Sequence, residues 1–550
     1  MLRRVLRGLT AMVFCLALCT ATACAFSDTG DSWAAGVVDK AAAYGLMEGS
    51  PDGTFGIGRD ITRGEFVTIL CRFFGWETVS PETPSYADCP AAEWYYPYVE
   101  TARAHDVMDP DGAFRPVEPI SREEMAVMLV RALGYGTLAQ SLGELPVPFD
   151  DVTGHRGHIA IAYDIGMING VADPEGGVHF YPSGAAKREE AAAMLVRVYE
   201  RYTAKTDWLH GFYAFSSYSQ INLTPSMDGV SVGWARMEFD PAEGPWMNDT
   251  AENGNDWVKP KDPTPATNYF QEHSIPYQLN VFATAEDKLI LADGSATSTI
   301  AALLLPEHRS RSVALLAEAA QGYAGLTLDF EGLRRDLKEP FAQFVRELRE
   351  ALPQEKQLYV CVQPDTWYDG FDYRSLGESC DKVILMAHDY QWPASDVPKY
   401  VGTANTDSPV TPIVWVYRAL RTITDPETGV ADRSKLALAI AFNTAGFHVD
   451  ENGVLLEGTM YHPSRDVLTK RLQQPDTVVT YSERYRNPVV SYTTEDGAHY
   501  RVWYEDSRSV QDKLQLARMF GINGVSLWRL GIIPNATGYD VWSGIVNTLD

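Results

Sequence analysis

The pattern of hydrophobic and polar positions changes near residue 205. Before that point, apolar residues recur at helical spacing after short polar turns, as between Phe66 and Leu70. From Trp208 onward, short apolar and β-branched runs alternate with helix-periodic segments such as Ser312–Ala320. We therefore expect a mostly helical N-terminal part and an α/β C-terminal part, joined by the polar stretch 202–207.

The C-terminal part contains eight candidate strands. They are Leu209–Phe215, Gly229–Trp234, Tyr277–Phe282, Gly325–Phe330, Leu358–Val362, Lys382–Met386, Lys435–Ala441 and Gly524–Leu527. Eight strands with helical connections favour a (β/α)8 barrel, in which functional side chains gather at the C-terminal ends of the strands. This pattern alone leaves a doubly wound sheet open.

The first 25 residues have the pattern of a targeting segment. Three arginines in the first seven residues precede an apolar run, 9–23, that is too short to span a bilayer and ends in small residues. This predicts a secretory signal peptide over residues 1–25. Lipid attachment at Cys24 is the alternative.

A unit of about 60 residues occurs three times before residue 205. In each copy a phenylalanine precedes an arginine by eight positions; the pairs are Phe55 and Arg63, Phe114 and Arg122, and Phe180 and Arg188. Thr62 and Ser121 are placed to cap the helices that follow. The repeated spacing predicts helical units that bury their faces against one another.

These repeats resemble the S-layer homology domain in their Asp-Gly-Thr-Phe turn and their Ile-Thr-Arg-x-Glu helix start. The copies cover residues 26–80, 81–140 and 141–203. The third copy departs from the pattern, with Ala186 and Lys187 in place of Ile-Thr. The resemblance implies non-covalent binding to secondary cell-wall polysaccharide, and arginine suits anionic groups because its planar fork binds carboxylates in pairs. The implied contacts are Arg63, Arg122 and Arg188, with a local Arg–Glu pair at each helix start as the alternative.

Charge and cysteine content narrow the classes of function. The chain has 46 basic and 73 acidic side chains and a formal net charge of -27, which disfavours nucleic-acid binding. Four of the seven cysteines lie beyond the predicted signal peptide, and none has the CxxC spacing of a zinc site. The sequence therefore predicts neither a metal site nor a cofactor.

Two carboxyl side chains lie at the end of the candidate strand within Tyr323–Glu331. Asp329 and Glu331 are two positions apart, so both face the same side of the strand. Two crowded carboxyls cannot both ionise freely, so one is pushed toward a proton-holding acid, as a glycosidase requires. A salt-bridged strand end is the alternative on this motif alone.

Several segments, taken together, resemble glycoside hydrolase family 18. The segment that ends at Asp329 and Glu331 is similar to the Asp-x-x-Asp-x-Asp-x-Glu motif of that family. The segment Leu385–Tyr390 is similar to its Met-x-Tyr-Asp strand end, and Gly524–Gly531 is similar to its last strand. His210–Tyr213 and Val502–Ser507 further resemble the spore-cortex and peptidoglycan hydrolase branch. The resemblance covers residues 208–550 and implies a TIM barrel.

The resemblance also implies roles for individual residues. Glu331 is the expected acid and base, and Asp329 the partner of the substrate's acetamido group. Substrate contacts are implied for Asp389, His388, Tyr390 and Trp528, although Asp389 and Trp528 also suit purely structural roles. Trp367, which follows a candidate strand, and Glu505, which lies in the segment Val502–Ser507, are further possible substrate contacts, with loop packing as the alternative for Trp367.

Three positions depart from the family pattern. Ala324 and Thr327 replace the first two aspartates of the motif, although Thr327 keeps a hydroxyl, and His388 stands where a tyrosine is usual. The sequence thus predicts a secreted, wall-anchored glycosidase. It is expected to hydrolyse β-1,4 linkages of N-acetylglucosamine-containing glycans, peptidoglycan or chitin-like, by substrate-assisted retaining catalysis. A catalytically degenerate, lectin-like surface protein is the alternative.

Overall fold

The structure is a computed structural model that describes residues 26–30, 32–109, 112–173, 175–214 and 217–549. The predicted signal peptide lies outside the described residues. The chain divides into two compact units between Arg201 and Tyr202. Among the described residues, no helix is long and apolar enough to cross a membrane.

The first unit is mostly helical, as predicted. Its helices are α1 (Ala35–Ala43), α2 (Arg63–Phe74), α3 (Tyr96–Ala104), α4 (Arg122–Ala132), α5 (Gly136–Ser141), α6 (Arg156–Asp164) and α7 (Arg188–Tyr202). One short hairpin joins β1 (Val171–Ala172) to β2 (Val178–His179). The side chains of Thr62 and Ser121 form capping boxes at the starts of α2 and α4, which confirms their predicted role.

Backbone hydrogen bonds close the three copies into a ring. The Ile120 amide donates to the Ile61 carbonyl (3.0 Å), Ala186 donates to Ile120 (3.0 Å), and Ile61 donates to Ala186 (3.1 Å). Each of these residues lies two positions before the first helical residue of its own copy. The third copy therefore completes the ring despite its altered Ala186-Lys187 sequence.

The arginine of each copy reaches into the next copy. Its Nε donates to the carbonyl of the next phenylalanine, in the pairs Arg63–Phe114 (2.6 Å), Arg122–Phe180 (2.8 Å) and Arg188–Phe55 (2.9 Å). Each guanidinium also lies over the ring of that phenylalanine, at 4.9 to 5.3 Å. Arg63 and Arg188 are buried. The structure thus shows that these arginines join the copies, and their contact with wall polymer stays a prediction.

The second unit contains most of the strands. They are β3 (Trp208–Tyr213), β4 (Gly229–Asp240), β5 (Gly244–Asn248), β6 (Tyr277–Thr284), β7 (Leu289–Ile290), β8 (Ala296–Thr297), β9 (Gly325–Glu331), β10 (Gln357–Val362), β11 (Lys382–Leu385), β12 (Leu436–Ala441), β13 (Ala445–Val449), β14 (Val478–Ser482), β15 (Asn487–Thr493), β16 (His499–Trp503), β17 (Gly524–Trp528), β18 (Asn535–Ala536) and β19 (Tyr539–Asp540). Helices surround and connect them. These are α8 (Thr264–Glu272), α9 (Thr299–Leu304), α10 (Pro306–Ala319), α11 (Lys338–Ala351), α12 (Tyr373–Ser379), α13 (Ile413–Ile423), α14 (Arg465–Leu472), α15 (Ser507–Met519) and α16 (Trp542–Val546).

Eight parallel strands close into a barrel, which confirms the predicted fold. Their order is β3, β17, β12, β11, β10, β9, β6 and β4, and β4 pairs with β3 to complete the circle. The hairpin partner β5 extends β4 in antiparallel fashion, and β13 to β16 form a separate antiparallel sheet inserted after β12. Because all eight barrel strands run in one direction, their C-terminal ends share one rim.

The ring of arginines is testable by truncation. We expect Arg188→Ala to lower the free energy of unfolding of the first unit by about 2–4 kcal/mol, because it leaves the Phe55 carbonyl and the Glu65 carboxylate without this cation. Urea unfolding of the full chain, followed by helical circular dichroism, measures the change. As a control, Arg103→Ala breaks a long pair (3.8 Å) between the partly exposed Arg103 and the exposed Asp106 and should cost less than about 0.5 kcal/mol. Equal losses in the two variants would contradict the interlocked ring.

Candidate active site

The candidate acid and its neighbour lie at the C-terminal end of β9. Strand periodicity turns Thr327, Asp329 and Glu331 toward the barrel interior at successive heights. Asp329 is buried, and Glu331 is half-buried at the rim. Gly332 follows with a φ of 80°, and a side chain there would collide with Glu286, so the chain can turn away immediately after Glu331.

Asp329 has few hydrogen-bond donors around it. The Asn280 amide nitrogen lies 3.5 Å from Oδ2, whereas Oδ1 of Asp329 and Oδ1 of Asn280 have no partner among the described residues. Burial raises the pKa of Asp329, and it does so despite opposing hydrogen bonds from Asn280 and the Cys361 thiol and the positive charge of His388. This carboxyl therefore has an oxygen free to accept or share a proton.

Glu331 holds its proton more strongly than a free glutamate. Burial raises its pKa first, and the negative charges of Asp329, Asp389 and Glu286 raise it further. Together Asp329 and Glu331 retain a proton at a pH at which isolated carboxyls have lost it. This is the electrostatic condition that a general acid needs.

Thr327, which replaces the second aspartate of the motif, belongs to a hydrogen-bond network of neutral side chains. Its hydroxyl hydrogen-bonds to Ser231 (2.6 Å), which in turn bonds to Nε2 of His210 (2.8 Å), and Nδ1 of His210 bonds to Ser526 (2.8 Å). Burial lowers the pKa of His210 to about 3, so this ring is neutral. The network joins four barrel strands below Asp329 and adds no charge there.

His388 and Asp389 form a pair after β11. Nδ1 of His388 lies 2.8 Å from Oδ2 of Asp389, and the Asn443 amide donates to Oδ1 (2.6 Å). Burial acts to raise the pKa of Asp389, but His388 and these hydrogen bonds outweigh it and lower the pKa. Asp389 thus stays ionised and is 39% exposed, close enough to Glu331 to affect its pKa.

Aromatic rings form one side of the site. Trp528 ends β17 half-buried, with its ring edge-on to Phe212 (5.2 Å between centroids) and 5.8 Å from the ring of Trp257. Trp257 stacks on Phe282 (5.0 Å). No motif pointed to Trp257, because it follows the β4–β5 hairpin far along the chain from Trp528. These rings give the mouth an apolar side suited to a sugar face.

A second aromatic group contains Trp367 and Tyr390. The ring centroid of Trp367 lies 4.9 Å from that of Tyr390 and 6.4 Å from that of Trp415. Trp367 is 39% exposed, whereas Tyr390 is buried. Trp367 can therefore meet a ligand directly, and Tyr390 packs behind it.

Glu505 does not fit its predicted role. It is 1% exposed, and its carboxylate accepts hydrogen bonds from Lys513 (2.8 Å), Ser509 (2.6 Å) and Asn487 (2.7 Å). A carboxylate with all these partners and no exposure holds β15 and α15 together. The candidate substrate contacts therefore exclude Glu505. Among the described residues, no group of three or more metal-ligating side chains is arranged to hold a metal ion.

Comparison with known proteins identifies both units. Residues 299–532 match the family of glycosyl hydrolases family 18, and residues 25–67, 85–126 and 148–192 match the S-layer homology domain. The cortical fragment-lytic enzyme of Bacillus subtilis is 27% identical over 223 residues, which are 38% of this chain and 47% of the relative. The corresponding enzyme of Bacillus anthracis is 23% identical over 260 residues, 44% of this chain and 55% of the relative. The chain thus spans about half the length of these curated relatives.

Solved structures resemble the chain at low identity. The chitinase of Chromobacterium violaceum is 20% identical with a TM-score of 0.48, covering 62% of this chain and 98% of its own. The Bacillus cereus spore cortex-lytic enzyme SleL is 18% identical with a TM-score of 0.47, covering 62% of this chain and 74% of its own.

The coupling between the two carboxyls predicts a shift in the pH profile. Asp329→Asn removes a negative charge that raises the pKa of Glu331, so that pKa should fall. Glu331 should then lose its proton at lower pH in the variant. The alkaline limb of the kcat/KM profile of the residual glycosidase activity should therefore move down by about 1 pH unit. The pH dependence of kcat/KM measures it.

The control for this shift is Asp466→Asn, which removes an exposed carboxylate on α14 and should leave the limb in place. An unmoved limb in Asp329→Asn would show that Asp329 does not set the proton affinity of Glu331.

Proposed function

We propose, for a chain that carries a glycosyl hydrolases family 18 domain and three S-layer homology repeats, that the barrel hydrolyses β-1,4 linkages next to N-acetylglucosamine in peptidoglycan or a chitin-like glycan. The observation that carries this proposal is the pair of inward carboxyls, Asp329 and Glu331, both with raised pKa values, at the rim where Trp528 also ends its strand. The pair supplies a proton, and the ring supplies a surface for the reacting sugar.

The first step breaks the glycosidic bond. Protonated Glu331 donates its proton to the leaving oxygen while the carbonyl oxygen of the substrate's own 2-acetamido group attacks the anomeric carbon. The product is a cyclic oxazolinium ion, so no protein carboxylate has to form a bond to the sugar. The free Oδ1 of Asp329 supports this assignment, because it can accept the acetamido N–H and balance the developing positive charge.

The second step returns the enzyme to its first state. The Glu331 carboxylate removes a proton from water, whose oxygen attacks the anomeric carbon and opens the oxazolinium ring with retained configuration. His388 and Asp389 are the groups that we assign to orienting the acetamido carbonyl, with Asn443 fixing the Asp389 carboxylate. Trp528 forms the apolar floor, and Trp367 stacks on a sugar further along the cleft.

The repeat unit is proposed to hold the enzyme on the cell wall. A cavity of about 690 Å³ in this unit is lined by Trp33, Lys40, Arg122 and Arg197, among others, and Trp33 is 68% exposed. Cationic side chains beside an exposed ring suit an anionic wall polysaccharide. We infer non-covalent attachment of a secreted protein through this surface.

Replacement of the proposed acid tests the reaction. Glu331→Gln cannot donate or remove the proton, so turnover of N-acetylglucosamine oligomers should fall by about 10²–10⁴-fold while oligomer binding persists. Product release, followed by mass spectrometry, and binding, followed by calorimetry, measure the two properties. Glu339→Gln, an exposed glutamate on α11, is the matched control and should retain turnover. A wild-type protein that binds oligomers and releases no product would favour the lectin-like alternative.

Replacement of Trp33 tests wall attachment. Trp33→Ala removes the exposed ring at the cavity and should raise the Kd for purified walls about tenfold, since stacked rings are common anchors of binding energy. Co-sedimentation with walls measures it, and walls stripped of secondary polysaccharide should fail to bind either protein. Tyr461→Ala, which removes a partly exposed ring in the barrel unit away from both proposed glycan sites, is the control. Unchanged sedimentation of Trp33→Ala would contradict this surface.

A further inference from the structure

A hollow of about 640 Å³ lies beside the first two barrel strands and takes no part in the mechanism above. We call it the rim groove and define it by Tyr213, Tyr218, Trp234, Lys259 and Lys261, which line it. Tyr213 is the last residue of β3, as Glu331 is of β9. Because these strands are parallel members of one barrel, the rim groove opens at the same rim as the catalytic pair.

The floor of the rim groove is a packed aromatic surface. The rings of Tyr213 and Trp234 meet edge to face at 6.3 Å, and Tyr213 packs in the same way against Phe270 of α8 (5.5 Å). Tyr213 and Trp234 are buried, whereas Tyr218 above them is 54% exposed. A fixed floor with one exposed ring can take a sugar face without rearrangement.

The wall of the rim groove carries positive charge in an acidic protein. Lys259 and Lys261 are exposed, and neither ammonium has an ion-pair partner among the residues that the structure describes. The nearby carboxylate of Asp262 accepts a hydrogen bond from the Thr264 amide (3.0 Å). The chain has a net charge of -27. Two unpaired lysines therefore give the rim groove a positive local charge, opposite in sign to that of the whole molecule.

The loop that carries Lys259 and Lys261 connects the rim groove to the catalytic mouth. Trp257 lies 5.8 Å from Trp528 on the side of the mouth, and the next residue, Val258, already lines the rim groove. Pro260 and Pro263 restrict the backbone between and after the lysines. A glycan strand that leaves the mouth past Trp257 therefore meets the two lysines on a stiff segment.

We infer that the rim groove binds the continuation of the substrate strand, and that its lysines select a glycan whose sugars carry carboxylate groups. This inference rests on the proposed function and makes it more specific, because it favours peptide- or lactyl-bearing peptidoglycan over neutral chitin. Tyr218 stacks on a sugar ring, and the ammonium groups pair with carboxylates on its substituents.

The test compares the double variant Lys259→Gln, Lys261→Gln with the full-length wild type on three substrates. These are peptidoglycan strands with free carboxylates, the same strands with the carboxylates amidated, and neutral N-acetylglucosamine oligomers. For the free-carboxylate strands we expect KM to rise about three- to tenfold with kcat retained, because exposed charge pairs contribute modestly to binding. The ratio of the KM values for free and amidated strands should approach one in the variant. Added salt should raise KM for the free strands in the wild type more than in the variant.

The control replaces two exposed lysines elsewhere in the unit, Lys399→Gln and Lys470→Gln, and should leave that ratio at its wild-type value. An unchanged KM in the rim-groove variant, or an equal rise on all three substrates, would overturn the inference while the hydrolase remained. A wild type that cuts neutral oligomers but not free-carboxylate strands would also overturn it. A wild type that cuts none of the three would instead refute the proposed function itself.

Discussion

The proposed chemistry of the barrel depends on the crowding of two carboxyl groups on one strand. β9 has a two-residue period, so Asp329 and Glu331 face the same side of the strand, with Asp329 buried in the barrel and Glu331 half-buried at its rim. Burial raises both pKa values, and the negative charge of Asp329 raises that of Glu331 further. The surrounding residues either leave this effect intact, as the neutral His210 network does, or supply a separate charge that stays ionised, as Asp389 does.

The first unit relies on a different constraint, which is closure. No single copy makes these contacts alone, because each arginine donates to the phenylalanine of the next copy and each phenylalanine is met by the arginine of the previous one. Three copies suffice because the third returns to the first through Arg188 and Phe55. The residues that close this ring are engaged in contacts between copies, so the proposed polymer site is placed on residues at the edge of the unit, such as Trp33.

Local periodicity predicted the strands and helices and placed Asp329 and Glu331 on one side of a strand. The choice of a barrel, and of these two carboxyls as the candidate acid and its partner, came from the resemblance of several segments to one family. Contacts between distant strands carried no local signal, so Trp257, Asn280 and Asn443 were missed. Glu505 was misassigned because the sequence of its segment does not distinguish a carboxylate that faces a ligand from one that, as here, pairs with a buried lysine. The inter-copy role of Arg63, Arg122 and Arg188 likewise required the closed ring to be seen.

The central claim is that the substrate's acetamido group, and not a protein carboxylate, attacks the anomeric carbon. The most direct measurement compares the cleavage rate of an N-acetylglucosamine oligomer with that of the same oligomer lacking the acetyl group on the reacting sugar. The account predicts cleavage of the first and only background cleavage of the second, since the nucleophile has been removed. Comparable rates on both oligomers would contradict it.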